Sequence, residues 1–205
     1  MKNPITLRLL HLLTKISYWG LIAITAIVVF AGFFMITLDP QLMKLGFPSN
    51  LSHIEEVVYL ESDPGMSVEV EFRAESIEVP VKYMDTPTKC YVLFMSLMWL
   101  TCLIFIARYF KTFMKKVLDG QTFHSESIFL IKKAALGLVI LEAIEWIAGT
   151  IGHFYVQRKF DLGGLEHKYS WEFPSFYLIL ALTLWTLAHI FQKGKELEDE
   201  QKLTV

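Results

Sequence analysis

The sequence predicts an all-α membrane protein, a bundle of four transmembrane helices carrying a small extracytoplasmic β-hairpin cap. Three observations lead there. Long uncharged or nearly uncharged runs recur along the chain, each close to the roughly 20 helical residues that cross about 30 Å of hydrocarbon. Basic residues gather on one side of those runs, as they do on the cytoplasmic side of membrane proteins. The first long segment between runs alternates apolar and charged residues with the period of a strand. Composition agrees, since 54% of the 205 residues are hydrophobic and the mean hydropathy is +0.43, high for a soluble chain. The whole chain reads as a single integral membrane domain.

The first expected span covers residues 17–38, preceded by Lys2, Arg8 and Lys15. A secretory signal has an apolar stretch of only about 7–15 residues and small residues at a cleavage site. Here the uncharged run is longer and ends at Asp39-Pro40, so a retained helix is expected. The outer loop, 39–89, opens with turn-forming residues and then places Val68, Val70 and Phe72 on one face and Glu69, Glu71 and Arg73 on the other. A turn near Ala74–Ser76 and a second alternation of Ile77, Val79 and Val81 predict a hairpin. Pro80 lacks a ladder donor, which predicts an edge strand or a bulge. Acidic residues outnumber basic ones in this loop, which excludes a direct nucleic-acid-binding face. Glu69, Glu71, Glu75 and Glu78 read as a solvated face, with weak divalent-cation binding as the alternative.

The second span is expected over 90–107, and its Cys90 and Cys102 lie about 18 Å apart along one helix, too far to bridge each other. In the cytoplasmic loop, 108–133, Phe110, Phe113, Met114, Val117 and Leu118 recur at helical spacing between Lys111, Lys115 and Lys116. They predict an amphipathic extension of the second helix at the lipid surface. Asp119-Gly120 ends it, and Thr122 or Ser125 is placed to cap the third span, 134–156. A second outer loop, 157–172, sets Gly163-Gly164 between aromatic runs and predicts another hairpin. The fourth span, 173–192, leads into a polar tail, 193–205, with no apolar face wide enough for a core. With both termini cytoplasmic, twelve of the 19 Lys and Arg residues fall on the cytoplasmic side, and the rest are diluted over two longer loops.

Glu142 and Glu145 interrupt the third span. Ionisable residues there are costly and commonly functional, and a spacing of three places both on one helical face. Counted from Ala134 they fall close to mid-depth and are expected to point into the bundle, where two adjacent carboxylates would leave at least one protonated near neutral pH. One reading ties them to hydroxyls at similar depth, Thr25, Ser96, Thr101, Thr183 and Thr186, to fix helix packing. Another makes them a proton or cation site, with Trp99, Trp146 and Trp185 at the same depth lining a ligand cavity. Two carboxylates without an intramembrane histidine at that level fall short of a metal site. Lys115, Lys116, Lys132 and Lys133 form a cytoplasmic cluster suited to anionic headgroups, or to a protein partner. The chain has no glycine-rich phosphate loop, zinc-protease motif, nucleophile elbow or paired cysteine motif. No catalytic residue and no cofactor is therefore expected.

Two cytoplasmic segments carry a resemblance. Asp119-Gly120-Gln121-Thr122-Phe123-His124-Ser125-Glu126-Ser127 matches a Gly-x-x-Phe turn before a third span. Leu187-Ala188, Phe191, Gly194, Glu196-Leu197, Glu200 and Leu203-Thr204-Val205 match a closing signature. On these the chain resembles the bacterial membrane family catalogued as domain of unknown function 2975, although Gln201-Lys202 stands where that family usually has Asn-Asp. The resemblance implies four-helix proteins of the bacterial inner membrane, often encoded beside a small helix-turn-helix regulator, with no established activity and no catalytic residues to carry over. The expectation is a non-enzymatic regulatory or sensory membrane protein with the bilayer, a cytoplasmic regulator and another copy of itself as candidate partners. A small proton- or cation-coupled transporter using Glu142 and Glu145 is the alternative.

Overall fold

A computed structural model of the chain describes residues 5–38, 44–48, 56–62, 66–73, 76–122, 124–159 and 175–203. Four long helices alternate with one small sheet: α1 Ile5–Leu38, β1 Lys44–Pro48, β2 Glu56–Ser62, β3 Met66–Arg73, β4 Ser76–Pro80, α2 Thr86–Leu118, α3 Ser125–Lys159 and α4 Phe176–Leu203. A 3-10 turn, Val81–Tyr83, joins β4 to α2. The expected hairpin around Gly163-Gly164 lies outside the described residues.

Three helices, α1, α2 and α4, are long and apolar enough to cross a membrane. Each extends well beyond its uncharged run. α1 begins at Ile5, ahead of Ser17, and the expected amphipathic extension is the unbroken end of α2. The polar tail continues α4 to Leu203, because Lys, Glu, Leu and Gln are strong helix formers and Lys193 bonds Glu196 one turn on, at 2.7 Å. Ile16, Trp19, Ile24, Ile27, Phe30 and Phe33 of α1 are all exposed, an apolar surface of the kind that meets lipid.

The α2–α3 turn closes as a Schellman motif. Gly120 adopts φ 76°, the Gln121 N–H donates to the Lys116 carbonyl at 2.9 Å, and the Gly120 N–H donates to that of Val117 at 3.1 Å. The buried Ser127 hydroxyl donates to the Gln121 carbonyl at 2.7 Å and ties the start of α3 to the turn.

The sheet is antiparallel with strand order β1-β4-β3-β2. β3 and β4 form the expected hairpin, Phe72 opposite Ile77 and Arg73 opposite Ser76, but two further strands flank it. β2 pairs β3 from Glu56↔Phe72 to Ser62↔Met66, and β1 pairs β4 from Lys44↔Pro80 to Pro48↔Ser76. β4 is therefore an interior strand, not the edge or bulged strand that Pro80 suggested. Pro80 is tolerated because it closes the strand, two residues beyond the last β3 pair at Glu78, where its missing N–H interrupts no bond to β3.

The chain divides into two compact units. The first comprises Met1–Ala26, Met98–Ala143 and Pro174–Val205. Its core is Phe113 and Met114 of α2, Ile128 and Ile131 of α3 and Ala188 of α4, with Leu7, Leu184 and Phe191 packed against it. Phe113 stacks on Phe191, ring centroids 6.2 Å apart. Gly137 lets α3 approach α2 closely: a Cβ there would lie 2.6 Å from Cγ1 of Ile106, and the Cys102 thiol reaches the Gly137 carbonyl at 3.3 Å. The second unit, Ile27–Leu97 with Ile144–Phe173, buries Met35, Val79, Val81 and Met84. In it Gly32 of α1 leaves room for Leu93 of α2.

Candidate functional site

The strongest polar feature of the first unit is built on Glu142 and a residue that the sequence reading did not single out, Ser175. Ser175 immediately precedes α4, and its side-chain oxygen accepts the N–H of Leu178 at 3.3 Å while its carbonyl accepts the N–H of Ile179 at 3.2 Å. This is an N-cap, satisfying donors that a helix start leaves unpaired. The same hydroxyl donates its proton to Oε2 of Glu142, which is only 6% exposed. One serine thus caps α4 and bonds a buried carboxyl group. The contact sets Glu142 level with the first residue of α4, at the end of that helix and not halfway along it.

Glu145, one turn on, is exposed. The expectation that both carboxylates point inward holds for Glu142 alone, since three residues turn the helix by about 300° and leave the two side chains about 60° apart. Four of the five expected hydroxyls turn elsewhere. Thr25, Ser96, Thr183 and Thr186 donate to carbonyls four residues earlier in their own helices, at 2.8 to 2.9 Å, a common resting state for helical Ser and Thr. Trp185 and Trp146 stand out from the packing, 51% and 46% exposed, whereas Trp99 is half-buried.

The lysine cluster binds helices together. Lys116 pairs with Glu126 across the α2–α3 turn, holding that carboxyl below its usual range. Lys132 donates to Oε1 of Gln192 on α4 at 3.0 Å and sits 6.0 Å from the Trp185 ring. Lys133 lies over Phe129 at 4.5 Å and over Tyr109 at 5.5 Å. Lys115 is exposed.

A second polar group, in the other unit, was not anticipated. Asp85 precedes α2, its carbonyl accepting the Lys89 N–H at 3.1 Å and its carboxylate accepting the Thr88 hydroxyl at 2.7 Å. Lys159 Nζ lies 3.9 Å away, and Tyr155 and Arg158 complete a cavity of about 270 Å³. The Thr88 hydroxyl, with help from Lys159, holds the Asp85 carboxyl below the usual carboxylate range. Lys89, assigned from the sequence to the outer loop, is 4% exposed. The capping run Asp85-Thr86-Pro87-Thr88 was the available signal for this site.

The profile of the family described as "Protein of unknown function (DUF2975)" matches residues 66–205, from β3 to the end of the chain. The chain belongs to this family. The DUF2975 region takes in Glu142, Ser175, the α2–α3 turn and all four lysines of the cluster, and it leaves α1, β1 and β2 outside. No curated protein and no solved structure matches the chain.

Proposed function

We propose that this DUF2975 protein is a non-enzymatic regulator or sensor of the bacterial inner membrane. Four crossings form a helical bundle with both termini in the cytoplasm, and Glu142 and Ser175 latch the outer end of α4. One observation carries this reading: the serine that binds Glu142 also caps α4, and α4 runs without a break from that cap to the polar tail at Leu203. Whatever changes Glu142, a proton, a cation or a shift of α3, acts on a rod about 42 Å long whose far end lies among the cytoplasmic lysines. Losing a serine cap costs about 1 kcal/mol, and leaving a buried acceptor unsatisfied costs a further 1–3 kcal/mol or so. That is sufficient to shift two conformations of α4 by about one and a half to three orders of magnitude.

α3 supplies the fourth crossing in this reading, since an even number of spans puts both ends of the chain on the side where basic residues gather. The tail and the lysine-bearing ends of α2 and α3 then face a cytoplasmic partner, for which the family's association with helix-turn-helix regulators suggests a DNA-binding protein; the chain itself does not bind nucleic acid. Ser175→Ala and Glu142→Gln should both change the transcript profile of the host while the protein remains in the membrane. Deletion of residues 193–205 should abolish the response. An unchanged profile in all three strains rejects the reading.

The alternative, proton- or cation-coupled transport, draws on the burial of Glu142. It requires flux across reconstituted vesicles that Glu142→Gln eliminates. The exposure of Glu145 weighs against a paired-carboxylate carrier.

A further inference from the structure

The opposite end of α4 carries a groove that the latch does not use. About 360 Å³ in volume, it lies between the start of α3 and the polar part of α4, and cavities of this size accommodate small ligands. Ile128 and Phe129 form its apolar side, with Phe129 56% exposed. Lys132 and Lys195 supply positive charge, and Glu196 and Asp199 supply negative charge. Among the described residues, Lys132 is met by the neutral amide of Gln192 and by the Trp185 ring, not by a carboxylate. Glu196 is shared with Lys193 and accepts the Gln192 side-chain N–H at 3.4 Å, and Asp199 has no ion pair among the described residues.

The order of these charges along the helix is informative. Lys132 bonds Gln192, the last residue of the uncharged run, so its ammonium lies beside the boundary of the apolar segment. Asp199 lies seven residues further along α4, about 10 Å outward. The positive charge of Lys132 thus stands next to hydrocarbon and the carboxylate of Asp199 further into water. A phospholipid whose phosphate is followed outward by a primary ammonium has the complementary order. We infer that this groove binds an aminophospholipid headgroup, its phosphate at Lys132 and Lys195, its ammonium at Asp199, and the two carbons that join them against Phe129. Basic pockets between helices are established headgroup sites; the carboxylate of Asp199 adds selection. A primary ammonium gives it a charge-assisted hydrogen bond, whereas a phosphoglycerol head brings only neutral hydroxyls and a trimethylammonium group has no N–H to donate. The inference rests on the membrane reading and not on the regulatory one, because groove and latch lie at opposite ends of α4.

Native mass spectrometry of the detergent-purified full chain tests it, with phosphatidylethanolamine, phosphatidylglycerol and phosphatidylcholine added in turn. Wild type should retain phosphatidylethanolamine about tenfold more tightly than either other lipid, a difference of about 1.4 kcal/mol. Lys132→Gln and Asp199→Asn should each abolish that preference, and Lys82→Gln, ahead of α2 and outside both the groove and the lysine cluster, should preserve it. Lipid-free melting temperatures establish that each variant is folded. The inference is overturned if wild type holds phosphatidylglycerol as well as phosphatidylethanolamine, or if the two groove variants keep the preference. Retention of no lipid also overturns it and leaves the groove to a protein partner.

Discussion

At the scale of single residues, Glu142 and Ser175 form the unit most exposed to test. Ser175→Ala removes both the cap of α4 and the proton donated to a buried carboxylate, so it should destabilise the protein by about 2–4 kcal/mol. Glu142→Gln keeps the shape and should cost less. In the double mutant the two effects should fall short of their sum by about 1 kcal/mol, measured by unfolding in detergent. Asp85 makes a pH-dependent prediction. Its carboxyl is held low in the folded state, chiefly by Thr88, so its stabilisation is complete above the ordinary aspartate value near 3.9 and is lost as acid protonates the folded form. The protection factor of the Lys89 amide, its exchange relative to an unstructured amide at the same pH, should therefore fall modestly below about pH 4, and Asp85→Asn should remove the acid-dependent step. Glu142 was legible as a costly charge in an apolar run, but its partner was not. Ser175 is 33 residues away in sequence, and periodicity along α3 carries no information about which residue of another helix lies opposite.

At the scale of elements, the helices were legible because hydropathy and capping act locally. The apolar runs mark the helices but not their ends, whereas the Asp119-Gly120 stop and the start near Ser125 mark real boundaries. The sheet was legible only as its hairpin. Alternation around Ala74–Ser76 reports a contact between neighbours in sequence, whereas β1 joins β4 across some thirty intervening residues, and that long-range pairing is what makes β4 interior. Helix contact at Gly137 is likewise invisible in a single sequence. Gly137→Ala should destabilise by about 1–3 kcal/mol through overpacking, and most of that penalty should disappear in an Ile106→Ala background, where the side chain it meets has been removed. Gly120→Ala should cost about 1–2 kcal/mol for the left-handed backbone it must adopt. Unfolding curves of the three variants would measure both effects.

At the scale of the whole molecule, the proposed topology, four crossings with both ends inside, predicts an accessibility pattern. With Cys90 and Cys102 replaced by alanine, a cysteine at Lys82 should react with a membrane-impermeant maleimide on intact cells. One at Gln201 should react only after permeabilisation, and equal labelling of both would place the tail on the same side as the sheet. The pairing of β1 with β4 adds an architectural consequence. Lys44 stands opposite Pro80, so the excursion that leaves after α1 returns to its own starting point before α2 begins. Everything from the end of β1 to the start of β4 hangs from a closed gate. Such a segment can change length without altering the spacing of the helices it interrupts.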